Sequence, residues 1–179
     1  MSRPAVFFDR DGVVNVSPGA GYVLDWTQFQ FAPGAIEALR FCKEKGYATV
    51  LVTSQQGVGK GLMSQADLDD IHAHMQKALL AENAVFDAIH ACTCLASDPA
   101  CTCRKPSVEM IFTARDSLDL DLKRSWLIGD HDRDIQMAMN AEIPHTIRIQ
   151  NGENPSQVNA TYTLSSASEL PTFLRTVLP

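Results

Sequence analysis

The stretch Pro4–Asn15, "PAVFFDRDGVVN", decides how this chain folds. An apolar run from Ala5 to Phe8 stops at Asp9, and a second acid, Asp11, follows two positions on. An unbroken run of this kind suits a strand covered on both faces, as in a parallel sheet. Carboxylates at the end of such a strand lose hydration unless another group compensates them. Two later segments repeat the pattern. "YATVLVTS" (47–54) ends in Thr53 and Ser54, and "RSWLIGD" (124–130) ends in Asp130.

Helical signals fall between the apolar runs. "PGAIEALRFCKEKG" (33–46) reads as a helix with Pro33 in its first turn and Gly46 as its stop. "SQADLDDIHAHMQKALLAE" (64–82) opens on a capping-box pair, Ser64 and Asp67, and repeats apolar residues at Leu68, Ile71, Met75 and Leu79. "SVEMIFTARDSL" (107–118), "DRDIQMAMNAE" (132–142) and "SELPTFLRTVL" (168–178) are further helices. "FDAIHACT" (86–93), "PHTIRI" (144–149) and "ATYTL" (160–164) are further strands, and 150–160 is a polar loop. The alternation predicts the α/β class: a Rossmann-like three-layer sandwich around a mostly parallel sheet, in one domain over 1–179. Ligands of such sheets bind at the carboxyl ends of the strands, where Asp9, Thr53 and Asp130 all lie.

Composition narrows the function classes. A net charge of −6 argues against a broad basic surface for nucleic acid. No apolar run approaches the ~20 residues of a membrane span, and the start lacks a leader-like apolar segment. The expectation is a cytoplasmic, monomeric protein.

Asp9, Asp11, Asp130 and Asp134 would repel one another in one pocket. Magnesium, which prefers carboxylate and water oxygens, removes that repulsion. Beside it one carboxylate can attack phosphorus while a second moves protons. Any one of these acids could be a mere strand-end or cap residue, but three strand ends together point to one site. "VTSQQGVGKG" (52–61) adds the Thr53 hydroxyl and a glycine-rich turn whose N–H groups could face an anion. It is no P-loop: Ser54 stands where the first glycine belongs and Gly61 where Ser or Thr belongs. Lys60 is read as a solvated loop residue. Lys105, after Arg104 and before Pro106, is expected in extended backbone with a helix starting just beyond.

The four cysteines of "CTCLASDPACTC" (92–103) lie within one short loop. Four thiolates close a tetrahedral, structural zinc site, so Cys92, Cys94, Cys101 and Cys103 are the candidate ligands, with His90 a weaker one. Zinc there would pin the backbone presenting Arg104 and Lys105. Cys42 reads as core. His72 and His74, two apart on a helix, cannot face one ligand together. His131 is placed at the pocket and His145 in the structure.

Together these residues resemble the haloacid dehalogenase superfamily of phosphohydrolases. "DRDGVVN" is similar to its first motif, Thr53 to its second, Lys105 in "CRKP" to its third, and "GDHDRD" (129–134) to its fourth. The resemblance implies Asp9 as nucleophile and Asp11 as acid/base. It implies magnesium on Asp9, the Asp11 carbonyl and Asp130, with Thr53 and Lys105 on the phosphoryl group. Asp134 would orient Lys105 or a water. The cysteine loop is similar to that of two capless branches with structural zinc, the heptose bisphosphate and the histidinol-phosphate phosphatases. "GYVLDWTQFQFAPGAIEAL" and "GVGKG" lie nearer the heptose branch, and the shortness of the loop nearer the other. Cys94 stands where His is usual, Ser54 where Asn is common, and His131 where the heptose branch tends to have Lys. Ser54 and Arg104 are then expected to touch substrate, a small phosphate ester. The competing classes are a phosphoacceptor signalling module, whose acid pair is adjacent, and a zinc-dependent binding protein, which needs no Asp11.

Overall fold

The structure, a computed structural model, describes residues 2–150, 152 and 156–179. Its strands are β1 (Ala5–Phe8), β2 (Ala48–Ser54), β3 (Ala88–Cys92), β4 (Trp126–Gly129), β5 (His145–Ile149) and β6 (Tyr162–Leu164). They form one sheet in the order β3-β2-β1-β4-β5-β6. The sequence predicts a mostly parallel sheet, and every pairing among these strands is parallel. Each connection is long enough to return to the same end of the sheet. The helices are α1 (Ala35–Glu44), α2 (Gln56–Gly59), α3 (Gln65–Ala81), α4 (Glu109–Leu118), α5 (Asp132–Asn140) and α6 (Leu170–Val177).

β1 lies at the centre and shows why the sheet is covered on both sides. Val6 and Phe8 join the core formed with α1, α3 and α6, through Leu39, Met75, Leu79 and Leu174. Ala5 and Phe7 join the core formed with α4 and α5, through Met110, Ile111 and Met137. This is the two-residue side-chain period of a strand packed on both faces. Burial of Phe7 or Phe8 stabilises the fold by roughly 1.5–3 kcal/mol each. The result is a three-layer α/β sandwich.

Local signals explain the helix starts. Ser64 accepts the N–H of Asp67 and Asp67 accepts that of Ser64, the expected capping box of α3. Pro33 lies just ahead of the α1 N-cap, Gly34, and outside the first turn where the sequence places it. The glycine-rich turn takes up the short helix α2 over 56–59. Asn151 and 153–155 of the polar loop lie outside the described residues.

Register brings the strand tips level. Phe8 pairs with Leu51 on one side and Ile128 on the other, so Asp9, Thr53 and Asp130 emerge from one edge. The strand order is that of a doubly wound sheet, whose crevice opens beside β1, where the order reverses.

Candidate active site

Asp9 leaves β1 with its N–H bonded to the Ile128 carbonyl at 2.9 Å. Its Oδ1 accepts from the Arg10 N–H at 2.8 Å and from Lys105 Nζ at 2.7 Å. Lys105 Nζ also donates to Asp134 Oδ1 at 2.6 Å. Asp134 Oδ2 accepts the His131 N–H at 3.0 Å, and His131 Nδ1 accepts from Arg133, which caps α5. Asp9, Lys105 and Asp134 are all buried. An ammonium between two carboxylates is tolerated out of water because each charge is paired and hydrogen-bonded. The helix expected just beyond Pro106 is α4, which starts at Glu109 after a turn from Arg104 to Ser107. The Lys105 ammonium itself is held by its two carboxylates.

Two glycines allow the close packing. Gly12 has φ +84°, and a Cβ there would collide with the Asp130 carboxylate. At Gly129 a Cβ would strike the Asp134 side chain. A larger residue at either position would push the acids apart.

Asp9, Asp130 and Asp134 each offer a carboxylate oxygen within 4.8 Å of the others. Burial pushes the Asp9 carboxyl up to about 6, with Asp134 adding to the rise and Lys105 opposing it. Burial, then Asp9 and Asp134, push Asp130 up to about 8. Lys105 is held above the ordinary lysine value: burial acts downward, but Asp134 and Asp9 outweigh it. A donor set of hard oxygens with surplus negative charge fits a divalent cation. Of the three, Asp9 and Asp130 line the cavity, while Asp134 is fully buried behind Lys105.

Asp11 does not join that cluster. Its Oδ1 accepts from Asn15 Nδ2 at 2.9 Å and from Arg10 at 3.2 and 3.3 Å, and its Oδ2 accepts from Gln55 Nε2 at 3.0 Å. Burial alone would raise its pKa, but Arg10, with the Asn15 and Gln55 bonds, holds it below the usual carboxylate value. Arg10, Asn15 and Gln55 are functional neighbours that the sequence reading missed. Arg10 is fully buried behind Asp11. Its position between two acids was the available signal, since an arginine at a buried strand end needs partners. Thr53 is also buried, and its Oγ1 accepts from Gln55 Nε2 at 2.8 Å.

The strand edge opens into a cavity of about 630 Å³, lined by Asp9, Asp11, Ser54, Arg104, Asp130 and His131 among others. Arg104 Nη1 and Arg133 Nε are buried there without a hydrogen-bond partner among the described residues, as is Ser54 Oγ. Burial, and then the like charge of Arg133, hold Arg104 below the usual arginine value. Lys60 is exposed, as expected, with its ammonium over the Tyr22 ring at 5.3 Å. His72 faces Arg10, His74 stacks on Trp26, and His145 stacks on Trp126. Cys42 is fully buried in the core.

The sulfurs of Cys92, Cys94, Cys101 and Cys103 lie within 4.8 Å of one another. Cys92 and Cys103 are joined as a disulfide, which departs from the four free thiolates expected; Cys94 and Cys101 are free. Three other sulfur pairs lie at 3.6, 3.7 and 3.9 Å. Sulfurs about 2.3 Å from a tetrahedral zinc would be about 3.8 Å apart, which is the spacing of these three pairs and not of the bonded one.

The HAD-hydrolase-like family matches residues 102–170. The D-glycero-beta-D-manno-heptose-1,7-bisphosphate 7-phosphatase of Escherichia coli K12 is 34% identical over 95% of this chain and 93% of its own. The Vibrio cholerae O1 protein of the same name is 34% identical over 97% of both chains. The crystal structure of the D,D-heptose 1,7-bisphosphate phosphatase of B. bronchiseptica, complexed with magnesium and phosphate, superposes with a TM-score of 0.87. It is 30% identical and covers 97% of this chain and 98% of that one. With the acid and lysine cluster described above, these similarities assign the family: the chain belongs to the haloacid dehalogenase superfamily of phosphatases, alongside the heptose bisphosphate phosphatases.

Proposed function

We propose that the chain, as a single domain, hydrolyses a phosphate monoester of a small phosphorylated sugar of the heptose 1,7-bisphosphate type. The observation that carries this reading is Asp9 at a strand tip, bonded through Oδ1 to Lys105 and facing the cavity beside Asp130. With Oδ1 committed, Oδ2 is the attacking oxygen. It forms a bond to phosphorus, the ester P–O bond breaks, and Asp11 protonates the leaving alkoxide. Water then attacks the aspartyl phosphate, giving its proton to Asp11 and releasing phosphate. Asp11 is ionised in the resting site, which suits the second half. A bound phosphate dianion raises its proton affinity, which suits the first.

Lys105 and Thr53 hold the phosphoryl oxygens, Ser54 and Arg104 contact the substrate, and Asp134 orients Lys105. Asp9, the Asp11 carbonyl and Asp130 would hold magnesium, which when bound offsets their repulsion and neutralises phosphoryl charge. The four cysteines would hold zinc, in place of the disulfide, as a structural ion that stiffens 92–103. A sugar bisphosphate is favoured because two guanidiniums, Arg104 and Arg133, line the cavity together. Two guanidiniums side by side at the mouth of the site suit a second anionic group. Histidinol phosphate, with one phosphate and a cationic amine, fits that pair less well. We place the protein in the cytoplasm as a monomer.

Phosphate release from a heptose bisphosphate, histidinol phosphate and nucleotides tests the substrate. Replacing Asp9 tests the chemistry: Asp9→Asn lowers kcat by at least about 10³-fold. Near wild-type turnover by that variant would remove Asp9 as nucleophile. A phosphorylated form that persists for minutes without turnover would favour the signalling module.

A further inference from the structure

We propose that Gln55, anchored by Arg10, is a positioning residue that sets the acid/base Asp11 against the phosphoryl-binding hydroxyl of Thr53. This rests on the roles given to Asp11 and Thr53 above.

Gln55 follows directly on β2 and is almost fully buried, 1% exposed, although it is a polar residue in a loop. Its Oε1 accepts from Arg10 Nη2 at 3.0 Å. Its Nε2 donates to Asp11 Oδ2 at 3.0 Å and to Thr53 Oγ1 at 2.8 Å. The amide cannot be turned round without loss. A guanidinium only donates, so Arg10 must meet the carbonyl oxygen, and the amino group is left for the two acceptors. Arg10 is fixed in turn. Its Nη1 meets His72 Nε2 at 3.3 Å, and its Nε and Nη2 both reach Asp11 Oδ1. His72 must therefore accept at Nε2, which its pKa, lowered to about 4 by burial and then by Arg10, permits.

The consequence is geometric. Asp11 stands three residues beyond a rigid strand, on a turn, and its carboxylate is more exposed than those of Asp9 and Asp134. Its side chain is 29% exposed, against 8% for Asp9. A proton donor in such a position has several rotamers open to it. Gln55 ties one oxygen while Asn15 and Arg10 tie the other. The same amide bonds Thr53, so the proton donor and a phosphoryl ligand keep one spacing. Misplacing a catalytic group by about 1 Å can cost about 10²-fold in rate.

The test exploits leaving groups. Loss of proton donation slows cleavage of an alkyl phosphate, whose alkoxide needs a proton. It spares p-nitrophenyl phosphate, whose phenolate leaves unaided. Gln55→Leu in the full chain with magnesium should lower kcat/KM for the sugar phosphate by about 10²-fold, and for p-nitrophenyl phosphate by less than about tenfold. Asp11→Asn is the reference and should discriminate in the same direction. Equal losses on both esters by Gln55→Leu, or none, overturn the positioning role while Asp11→Asn still discriminates. Failure of Asp11→Asn to discriminate removes the acid role itself, and the positioning role with it. If Gln55→Leu does not fold, Gln55→Met is scored by the same ratio. Gln55→Glu retains an acceptor for Arg10 but no amino group, so it should discriminate as Leu does. Wild-type behaviour of that variant also overturns the proposal.

Discussion

The molecule gathers two clusters of side chains whose spacing would suit a metal ion, one at the tips of β1 and β4 and one in the loop after β3, and it holds them in opposite ways. The acids sit at the ends of strands whose neighbours are wholly buried, and a fully paired lysine sits among them. Their geometry follows from sheet register. Three of the four cysteines lie on a partly exposed loop, and only Cys92 belongs to a strand. A loop of that kind has no register to fix it, so cross-linking of its sulfurs must do so. The two sets meet at Lys105, two residues beyond Cys103 and in contact with Asp9. One cluster is positioned by the fold, and the other adjoins the lysine that pairs with it.

Lys105 breaks the comparison at its junction. Lys105→Met leaves two buried carboxylates without their shared cation, and loss of one partner of a buried pair costs about 3–5 kcal/mol. The melting temperature should fall by roughly 10 °C, with phosphatase activity lost. Adding Asp134→Asn should recover part of the stability and none of the activity. Full stability in the single variant would show that the pairing contributes little.

A smaller effect separates the clusters by pH. A carboxyl with a raised folded pKa binds its proton more tightly folded than unfolded. Its stabilisation is complete below about pH 4. It is lost as pH climbs through about 6 for Asp9 and about 8 for Asp130. Metal-free protein should therefore melt several degrees lower at pH 8.5 than at pH 5, and magnesium should flatten that slope. Melting curves across pH with and without the ion decide it, and an unchanged slope would argue against a cation on these acids.

The cysteine loop should respond to zinc chelation and leave the core intact. Chelation should raise KM severalfold through a loosened Lys105 and Arg104, with a melting shift of a few degrees. Metal analysis finding no zinc in carefully purified protein would leave the disulfide as the cross-link. The mildest change is Arg133→Gln, which should raise KM about twofold for a sugar bisphosphate and leave a monophosphate almost unaffected. Equal effects on both would place Arg133 at the reacting phosphate.

Strand tips were the most legible feature. Apolar runs ending at Asp9, Thr53 and Asp130 require only that a buried strand stop at a polar residue, and the register then brings them together. The capping box of α3 was equally plain, since Ser64 and Asp67 interact within one turn. Less was visible where partners are distant in the chain. The segment 56–59 is helical where a turn was expected, and Gly59 packs there so near the 93–95 backbone that a Cβ would strike the Thr93 carbonyl. Lys105 was read as near a helix terminus, and its ammonium is held by acids 96 and 29 residues away.

The sequence by itself determined the class of fold, the acids, the lysine and the cysteines, because periodicity, strand ends and residue chemistry are local. Only the tertiary structure decided that Asp9 and Asp11 have opposite surroundings, one beside a lysine and two acids, the other beside an arginine and two amides. Asn15 could be seen four residues from Asp11, but Gln55 lies 44 residues away. A side chain's proton affinity is set by whatever folding brings within a few ångströms of it, and spacing along the chain does not contain that information.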